Sequence, residues 1–198
     1  MTLLAVTSFS PEGYDLYGRN MIKTFLENVD GDLVVFTDEP LLFIETQSPR
    51  VHYRVLNWDF PEQVAFEMRH HSPICHGRFG DFYDYRFDAV KFSHKPAAIA
   101  AATKLITSGD LQAPEILMWL DGDTVFKAPL SREFIDRQFP SWAHFGHFTR
   151  DKNHMEGGII LFRYSHENVR IFIRLMWECY EHDQLFRMPA WTDCHVMD

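Results

Sequence analysis

The sequence predicts an α/β fold with a parallel sheet. Short apolar runs that suit buried strands alternate with helical apolar stripes, and the first strand, helix and strand follow one another directly. A later apolar run, residues 116–120, ends in two aspartates separated by one glycine. With 198 residues the chain can bury a substantial core, and we expect one domain over residues 1–198.

The first half of the chain opens with a βαβ unit. Residues 3–9 have the composition of a buried strand, and residues 33–36 form a second one after the Asp30-Gly31 turn. Between them lies an apolar stripe with helical spacing, made of Tyr17, Met21, Ile22, Phe25, Leu26 and Val29. We expect a further strand at residues 51–56, and a helix followed by a long surface loop over residues 61–86.

The second half continues the alternation of helices and strands. The Ala-rich residues 97–106 predict a helix with Pro96 in its first turn, ahead of the strand at residues 116–120. We expect a short helix at residues 130–139 and strands at residues 142–148 and 158–162. Ser165 is expected to cap a long helix with an inner face of Val169, Phe172, Ile173, Met176 and Tyr180.

Composition indicates which partners the protein can bind and in which cellular compartment it is expected. The net charge of −9 argues against nucleic acid, which requires clustered Lys and Arg. The three cysteines are widely spaced without a Cys-x-x-Cys pair, which favours reduced thiols and a cytoplasmic location. The N-terminus lacks the basic residues of a signal peptide, and we expect no transmembrane segment because no apolar run approaches about 20 residues.

Asp121 and Asp123 are the most informative residues, because they directly follow a strand that has the composition of a central one. In α/β proteins, ligands bind beyond the carboxyl ends of parallel strands. Carboxylate oxygens at this spacing suit Mg²⁺ or Mn²⁺, which also bind phosphate oxygens. The pair therefore predicts a metal–diphosphate site, and the alternative is a solvated turn in which both carboxylates accept backbone hydrogen bonds.

Four segments of the chain carry a resemblance to a known family: Trp119-Leu-Asp-Gly-Asp-Thr124, Phe87-Asp-Ala-Val-Lys-Phe-Ser-His-Lys95, Glu156-Gly-Gly-Ile-Ile-Leu-Phe162 and Trp191-Thr-Asp-Cys-His-Val-Met-Asp198. In this order they resemble the Asp-x-Asp glycosyltransferases of the GT-A fold, of a small bacterial or phage type. The resemblance implies a three-layer α/β/α Rossmann-like fold with a mostly parallel mixed sheet. Cys194 and His195 depart from the family pattern, and the chain is short for this fold.

The resemblance also implies roles at the metal and the diphosphate. Asp123 would coordinate the metal, and Asp121 would contact the ribose or share the metal through water. Gly122 would let the backbone turn so that both carboxylates reach one ligand. Lys95 and Arg86 would add positive charge against the phosphates, although either could instead belong to a solvated helix edge.

Further residues are candidates for the nucleotide pocket and the chemistry. Thr7 and Phe9 lie where the first strand ends and are expected to line the base and ribose pocket. Asp38, after the second strand, would bind the ribose or base, or else serve an ordinary turn. Asp193 and Glu156 are the candidate catalytic residues, with Asp193 near the reacting carbon and Glu156 at the acceptor.

The metal shell could gain a ligand near the C-terminus. Some members of the fold complete the shell with such a residue, so His195 is a candidate metal ligand and Asp198 competes for that role. The remaining histidines do not match a structural zinc spacing.

Together these features predict a glycosyltransferase that uses Mn²⁺ or Mg²⁺ and moves a sugar from a nucleotide-diphosphate sugar, most simply a UDP-sugar, to a hydroxyl acceptor such as a glycan. A sugar-phosphate nucleotidyltransferase is one alternative, but the loop after the first strand, residues 8–13, lacks the basic residues that this class usually has there. The other is a degenerate domain that binds sugar or nucleotide without turnover.

Overall fold

Among the described residues, six strands form one sheet, in the order Val51–Val55, Asp32–Thr37, Leu3–Ser8, Ile116–Leu120, Glu156–Arg163 and Phe145–Phe148. The computed structural model describes residues 2–41, 44–148 and 155–197. The strands of this sheet are β1 (Leu3–Ser8), β2 (Asp32–Thr37), β3 (Val51–Val55), β6 (Ile116–Leu120), β7 (Phe145–Phe148) and β8 (Glu156–Arg163), and a separate small hairpin contains β4 (Arg78–Phe79) and β5 (Phe82–Tyr83).

The strand directions bring the predicted site residues to one edge of the sheet, the one formed by the carboxyl ends of its parallel strands. Strands β1, β2, β3 and β6 are parallel, so their carboxyl ends share that edge. Strand β8 is antiparallel to β6, with Leu120 opposite Ile159, so β8 begins at the same edge where β6 ends. The start of β8 and the residues after β6 are therefore neighbours.

Helices cover both faces of the sheet. Their bounds are α1 (Pro11–Gly13), α2 (Arg19–Asn28), α3 (Leu56–Asp59), α4 (Pro61–Arg69), α5 (Ala89–Ser108), α6 (Arg132–Gln138), α7 (Glu167–Glu181) and α8 (Asp193–Met197). A π-helical turn, Tyr14–Gly18, joins α1 to α2. None of the helices in the described residues is both long enough and apolar enough to cross a bilayer.

Two buried clusters confirm the three-layer arrangement. Alternate residues of β1 enter different clusters: Leu4 and Val6 pack with α5 and α7, whereas Leu3 and Ala5 pack with α2 and α6. This alternation is what a strand with both faces covered requires. The α/β fold with a mostly parallel mixed sheet is therefore confirmed.

Helix α5 begins earlier than the sequence predicted. It starts at Ala89, where Asp88 caps it, and Pro96 lies in its interior instead of its first turn. An interior proline leaves the carbonyl four residues earlier without its helical donor. Here that carbonyl belongs to Phe92, and the Tyr180 hydroxyl of α7 donates to it at 3.3 Å. The tertiary contact makes the proline tolerable, and this contact is invisible to local sequence rules.

The expected surface loop before α5 contains the small hairpin of β4 and β5. Gly77 precedes it with φ of +66°, and a Cβ there would stand 2.5 Å from the carbonyl oxygen of Asp84. Each hairpin strand has two residues, too few to show the alternation that reveals a strand. Helix α7 is also shifted by one residue, because His166 and not Ser165 is at its N-cap.

Candidate active site

Asp121 is held rigidly at the end of β6. Its Oδ1 atom accepts a hydrogen bond from the Trp119 indole at 2.7 Å, and its backbone N–H donates to the carbonyl of Gly158 at 2.8 Å. Its own carbonyl accepts from Thr124 at 3.0 Å, which closes the turn that carries Asp123. Charged hydrogen bonds of this kind fix a carboxylate in one orientation.

Asp123 differs from Asp121 in being exposed to solvent. Within the described parts of the chain, its carboxylate makes neither a hydrogen bond nor an ion pair. The two aspartates are thus an anchored carboxylate and an accessible one on the same turn. The expectation that Asp123 contacts a metal directly stays a prediction.

Lys95 is the cation that the described residues place between Asp121 and Asp193. It lies on α5, and its Nζ atom is 2.6 Å from Oδ2 of Asp193, 3.0 Å from Oδ1 of Asp121 and 2.8 Å from the carbonyl of Gly157. Only 12% of its side chain is exposed. Burial by itself would lower the pKa of Lys95, but the carboxylates of Asp193 and Asp121 outweigh burial and raise it. The ammonium group is therefore charged at neutral pH.

Asp193 is buried next to Lys95. It is the first residue of α8, and only 2% of its side chain is exposed. A Cβ at Gly157 would stand 2.9 Å from Nζ of Lys95 and 3.3 Å from Oδ2 of Asp193, so a larger residue there would crowd this ion pair. In this structure Asp193 contacts Lys95, and the expectation that it acts at the reacting carbon stays a prediction.

Glu156 begins β8 beside the aspartates. Its Oε1 atom accepts a hydrogen bond from the N–H of Gly158 at 3.1 Å. A Cβ at Gly158 would be 3.2 Å from this oxygen and 3.6 Å from Oδ2 of Asp121, which places both carboxylates against one glycine. The predicted carboxylates Asp121, Glu156 and Asp193 thus lie at the edge of the sheet where β6 ends and β8 begins.

Tyr17 is a site residue that the sequence did not reveal. A helical period of 3.6 places it in the buried stripe of α2, but the π-helical turn changes the register so that Tyr14 is buried and Tyr17 is 40% exposed. A Cβ at Gly122 would be 3.0 Å from the Tyr17 ring and 2.7 Å from Phe9. Burial, and then the carboxylates of Asp123 and Asp121, raise the pKa of Tyr17.

Two residues expected in the nucleotide pocket are buried in this structure. Thr7 is fully buried, and among the described residues its hydroxyl has no hydrogen-bond partner. Phe9 is 5% exposed and packs against Gly18 and Gly122, so it supports the turn between the aspartates. Both residues lie next to the site, and their contact with a ligand stays a prediction.

Asp38 and Arg86 are engaged with partners other than the aspartate turn. Oδ1 of Asp38 is 3.1 Å from Nδ1 of His94, whose Nε2 is 3.2 Å from Oε1 of Glu67. Burial acts to lower the pKa of His94, but the two carboxylates raise it to about 9, so His94 is an imidazolium at neutral pH. Arg86 is exposed and pairs with Asp84 at 2.6 Å.

The described residues do not form a ready-made metal shell. No three His, Cys, Asp or Glu side chains among them are grouped so that they could hold a metal ion. The ring of His195 forms a hydrogen bond with Thr192 at 2.8 Å. Asp198, the competing C-terminal ligand, lies outside the described residues. An ion here would rely on Asp121 and Asp123 together with oxygens of its own ligand or water.

Comparison with known proteins supports the fold. Neither a protein-family model nor a curated protein sequence matches the chain. Mouse xyloside xylosyltransferase 1 in its apo form is similar over all of this chain and 81% of its own, with a TM-score of 0.54 and 11% identity. The bifunctional glycosyltransferase WbbM is similar over 99% of this chain, with a TM-score of 0.50 and 16% identity.

The likeness to these two proteins lies in the fold and not in the sequence. The chain spans about a third of WbbM, 36% of its length. At such low sequence identity a structural likeness shows the fold and leaves the chemistry to the site. The chain therefore has the Rossmann-like GT-A fold of these glycosyltransferases.

Proposed function

We propose that the protein is a metal-dependent glycosyltransferase that transfers a sugar from a nucleotide-diphosphate sugar, most simply a UDP-sugar, to a hydroxyl acceptor such as a glycan. The observation that carries this proposal is the placement of an accessible carboxylate, Asp123, beside an anchored one, Asp121, where the central strand ends. A fold shared with glycosyltransferases supports it at the level of architecture.

The charge of the site favours dependence on a metal. In the part of the chain that the structure describes, the carboxylates of Asp121, Asp123 and Asp193 lie at this edge of the sheet, and Lys95 is the cation that pairs with Asp121 and Asp193. A nucleoside diphosphate carries further negative charge and would be repelled by this excess. A divalent cation with oxygen ligands removes the repulsion, and the exposed carboxylate of Asp123 is the donor that such an ion prefers.

Each residue then has a role in the transfer. Asp123 and Asp121 would hold Mn²⁺ or Mg²⁺, which supplies positive charge to the departing diphosphate. Lys95 keeps Asp121 oriented and adds a second positive charge. Asp193 keeps Lys95 charged and in position. Glu156 is the carboxylate that we assign to the acceptor hydroxyl, from which a general base would remove the proton.

The first experiment is a calorimetric titration of UDP with and without Mn²⁺. We expect binding that requires Mn²⁺ and that is lost in Asp123→Ala. Asp30→Ala is the matched control, because Asp30 is an exposed aspartate just before β2, at the opposite edge of the sheet. If Asp123→Ala binds UDP and Mn²⁺ as the wild type does, the assignment of the site is wrong.

Product analysis separates the remaining functions. A transferase releases a nucleoside diphosphate from its donor, whereas a sugar-phosphate nucleotidyltransferase releases pyrophosphate from a nucleoside triphosphate. Metal-dependent UDP binding without turnover of any donor would identify a degenerate binding domain. Cys75, Cys179 and Cys194 are not joined in disulfides, which agrees with a reducing compartment, and we include a cytoplasmic location in the proposal.

A further inference from the structure

An exposed cluster of aromatic side chains lies between α4 and α5. We call it the aromatic hairpin; it comprises β4, β5 and Tyr85. Its rings are exposed to solvent by 42% at Phe79, 64% at Phe82, 48% at Tyr83 and 58% at Tyr85. Large apolar side chains grouped on a surface are unfavourable in water and typically mark a binding site.

The aromatic hairpin is held in one conformation at its base. The N–H of Asp84 donates to the carbonyl of Gly77 at 2.8 Å, and the Tyr83 hydroxyl donates to Asp88 at 3.0 Å. The Phe79 ring also packs edge-on against Phe87, with ring centroids 5.7 Å apart. Rings that are fixed before binding lose little conformational entropy on binding, which favours affinity for a flexible ligand.

The base of the aromatic hairpin is continuous with the candidate active site. Phe87 packs edge-on against Trp191 with ring centroids 5.2 Å apart, and the N–H of Trp191 donates to the carbonyl of Arg86 at 2.6 Å. Asp193 follows two residues after Trp191 and contacts Lys95. A ligand on the hairpin would therefore lie close to the segment that positions the site's cation.

The charge around these rings favours a neutral ligand. Residues 78–88 contain two arginines and three aspartates, and Arg86 is paired with Asp84. An anionic membrane surface or a nucleic acid would require an excess of Lys and Arg, which is missing from this segment. Aromatic rings with phenol hydroxyls suit a carbohydrate, whose ring has apolar C–H faces and hydroxyl edges.

We propose that the aromatic hairpin binds the carbohydrate acceptor and holds it beside the donor site. The designation of this carbohydrate as the acceptor rests on the proposed function, whereas binding of carbohydrate to the hairpin does not. The exposed faces of Phe82 and Tyr85 are the stacking surfaces. The hydrogen bond from Tyr83 to Asp88 holds the hairpin at its base.

The experiment is an oligosaccharide array probed with the full chain in the presence of UDP and Mn²⁺. We expect the wild type to bind a subset of glycans and the double variant Phe82→Ala/Tyr85→Ala to bind them about tenfold more weakly. Trp142→Ala is the matched control, because Trp142 is 79% exposed and precedes β7, at the opposite edge of the sheet. Both changes remove exposed rings, so neither should affect folding.

Each outcome separates this proposal from the proposed function. Glycan binding that is lost in the double variant but kept in Trp142→Ala supports the hairpin assignment, whether or not UDP binds. Absence of any glycan binding, or equal binding by both variants, overturns it. Binding to phosphatidylglycerol vesicles that depends on Phe82 and Tyr85, without glycan binding, also overturns it and identifies a membrane contact. Failure of the calorimetric UDP titration bears on the proposed function alone.

Discussion

Lys95 is the residue whose loss should disturb the site most. Its ammonium group compensates the buried carboxylate of Asp193, and removing one partner of a buried ion pair costs about 3–5 kcal/mol. We expect Lys95→Met to lower the free energy of unfolding by this order, as measured by urea titration. The affinity for UDP in the presence of Mn²⁺ should also fall.

A second substitution separates stability from function. In Lys95→Met/Asp193→Asn the buried charge is removed together with its partner, so we expect much of the lost stability to return. Activity should not return, because the positive charge is still missing. A double variant that is no more stable than Lys95→Met would show that the ion pair is not the source of the loss.

His94 should make stability depend on pH. The carboxylates of Asp38 and Glu67 raise the pKa of His94 from 6.5 to about 9 in the folded protein. The resulting stabilisation is complete below pH 6.5 and disappears as the pH rises towards 9, because the folded state loses its extra proton. Its size is on the order of 3 kcal/mol, since the pKa rises from 6.5 to about 9 and one pKa unit corresponds to about 1.4 kcal/mol.

Urea unfolding at several pH values tests this expectation. Between pH 6.5 and 9 we expect the free energy of unfolding of the wild type to fall more steeply than that of His94→Gln. The other histidines are present in both proteins and cancel in the comparison. Parallel curves for the two proteins would contradict the ion-pair interpretation of His94.

At the residue scale, the sequence predicted the charged residues of the site but not every pairing between them. Asp121, Glu156, Asp193 and Lys95 were predicted, and the structure brings them to one sheet edge. The pairing of Asp38 with His94 was missed because it joins residues on different elements, at distances that only tertiary packing sets.

At the scale of elements, Asp88 links α5 to the aromatic hairpin. Its Oδ1 caps the helix by accepting from the N–H of Lys91 at 3.0 Å, and its Oδ2 accepts from the Tyr83 hydroxyl. Loss of an N-cap side chain typically costs about 1 kcal/mol. We expect Asp88→Ala to lower the free energy of unfolding by about 1–2 kcal/mol in a urea titration.

Tyr83→Phe is the control for this prediction. It removes the hydroxyl bond to Asp88 but keeps the cap of α5, so its cost should be the smaller of the two. If Tyr83→Phe costs as much as Asp88→Ala, the stability comes from the hairpin contact and not from the cap.

The elements that the sequence predicted well are those whose buried apolar residues form a continuous run or a regular helical stripe. Strands β1, β2 and β6 and the inner face of α7 follow directly from their buried residues. The start of α5 was misplaced, because Pro96 favours a helix start locally while the Tyr180 hydroxyl satisfies the carbonyl that this proline leaves free. The π-helical turn was missed because the apolar stripe gave no sign of an extra residue.

At the scale of the whole molecule, the fold class follows from the order of elements, but the site depends on how distant segments meet. The carboxyl end of β6, the start of β8, the first turns of α5 and the first residue of α8 converge on Lys95. Strand β6 has a local signature in the sequence, but the meeting of these four segments has none. Gly157 lies where α8 packs against β8, and the reason for a small residue there becomes clear only from the close approach of Lys95 and Asp193.

The same arrangement predicts how ligands stabilise the whole protein. Because no three metal-binding side chains are grouped among the described residues, Mn²⁺ alone should raise the melting temperature little. UDP alone should also have little effect, since in the described residues the carboxylates of Asp121, Asp123 and Asp193 outnumber the ammonium group of Lys95. Together they should bind cooperatively, because the diphosphate completes the metal shell while the metal cancels the repulsion.

Thermal unfolding with each ligand alone and with both measures this cooperation. At a ligand concentration about 100 times the dissociation constant, stability rises by about 2.7 kcal/mol, or roughly 5–10 °C for a chain of this size. We expect a rise of this order only with UDP and Mn²⁺ together, its loss in Asp123→Ala and its retention in Asp30→Ala. An equal rise with Mn²⁺ alone would instead indicate a complete metal shell supplied by the protein, with Asp121 and Asp123 as only part of it.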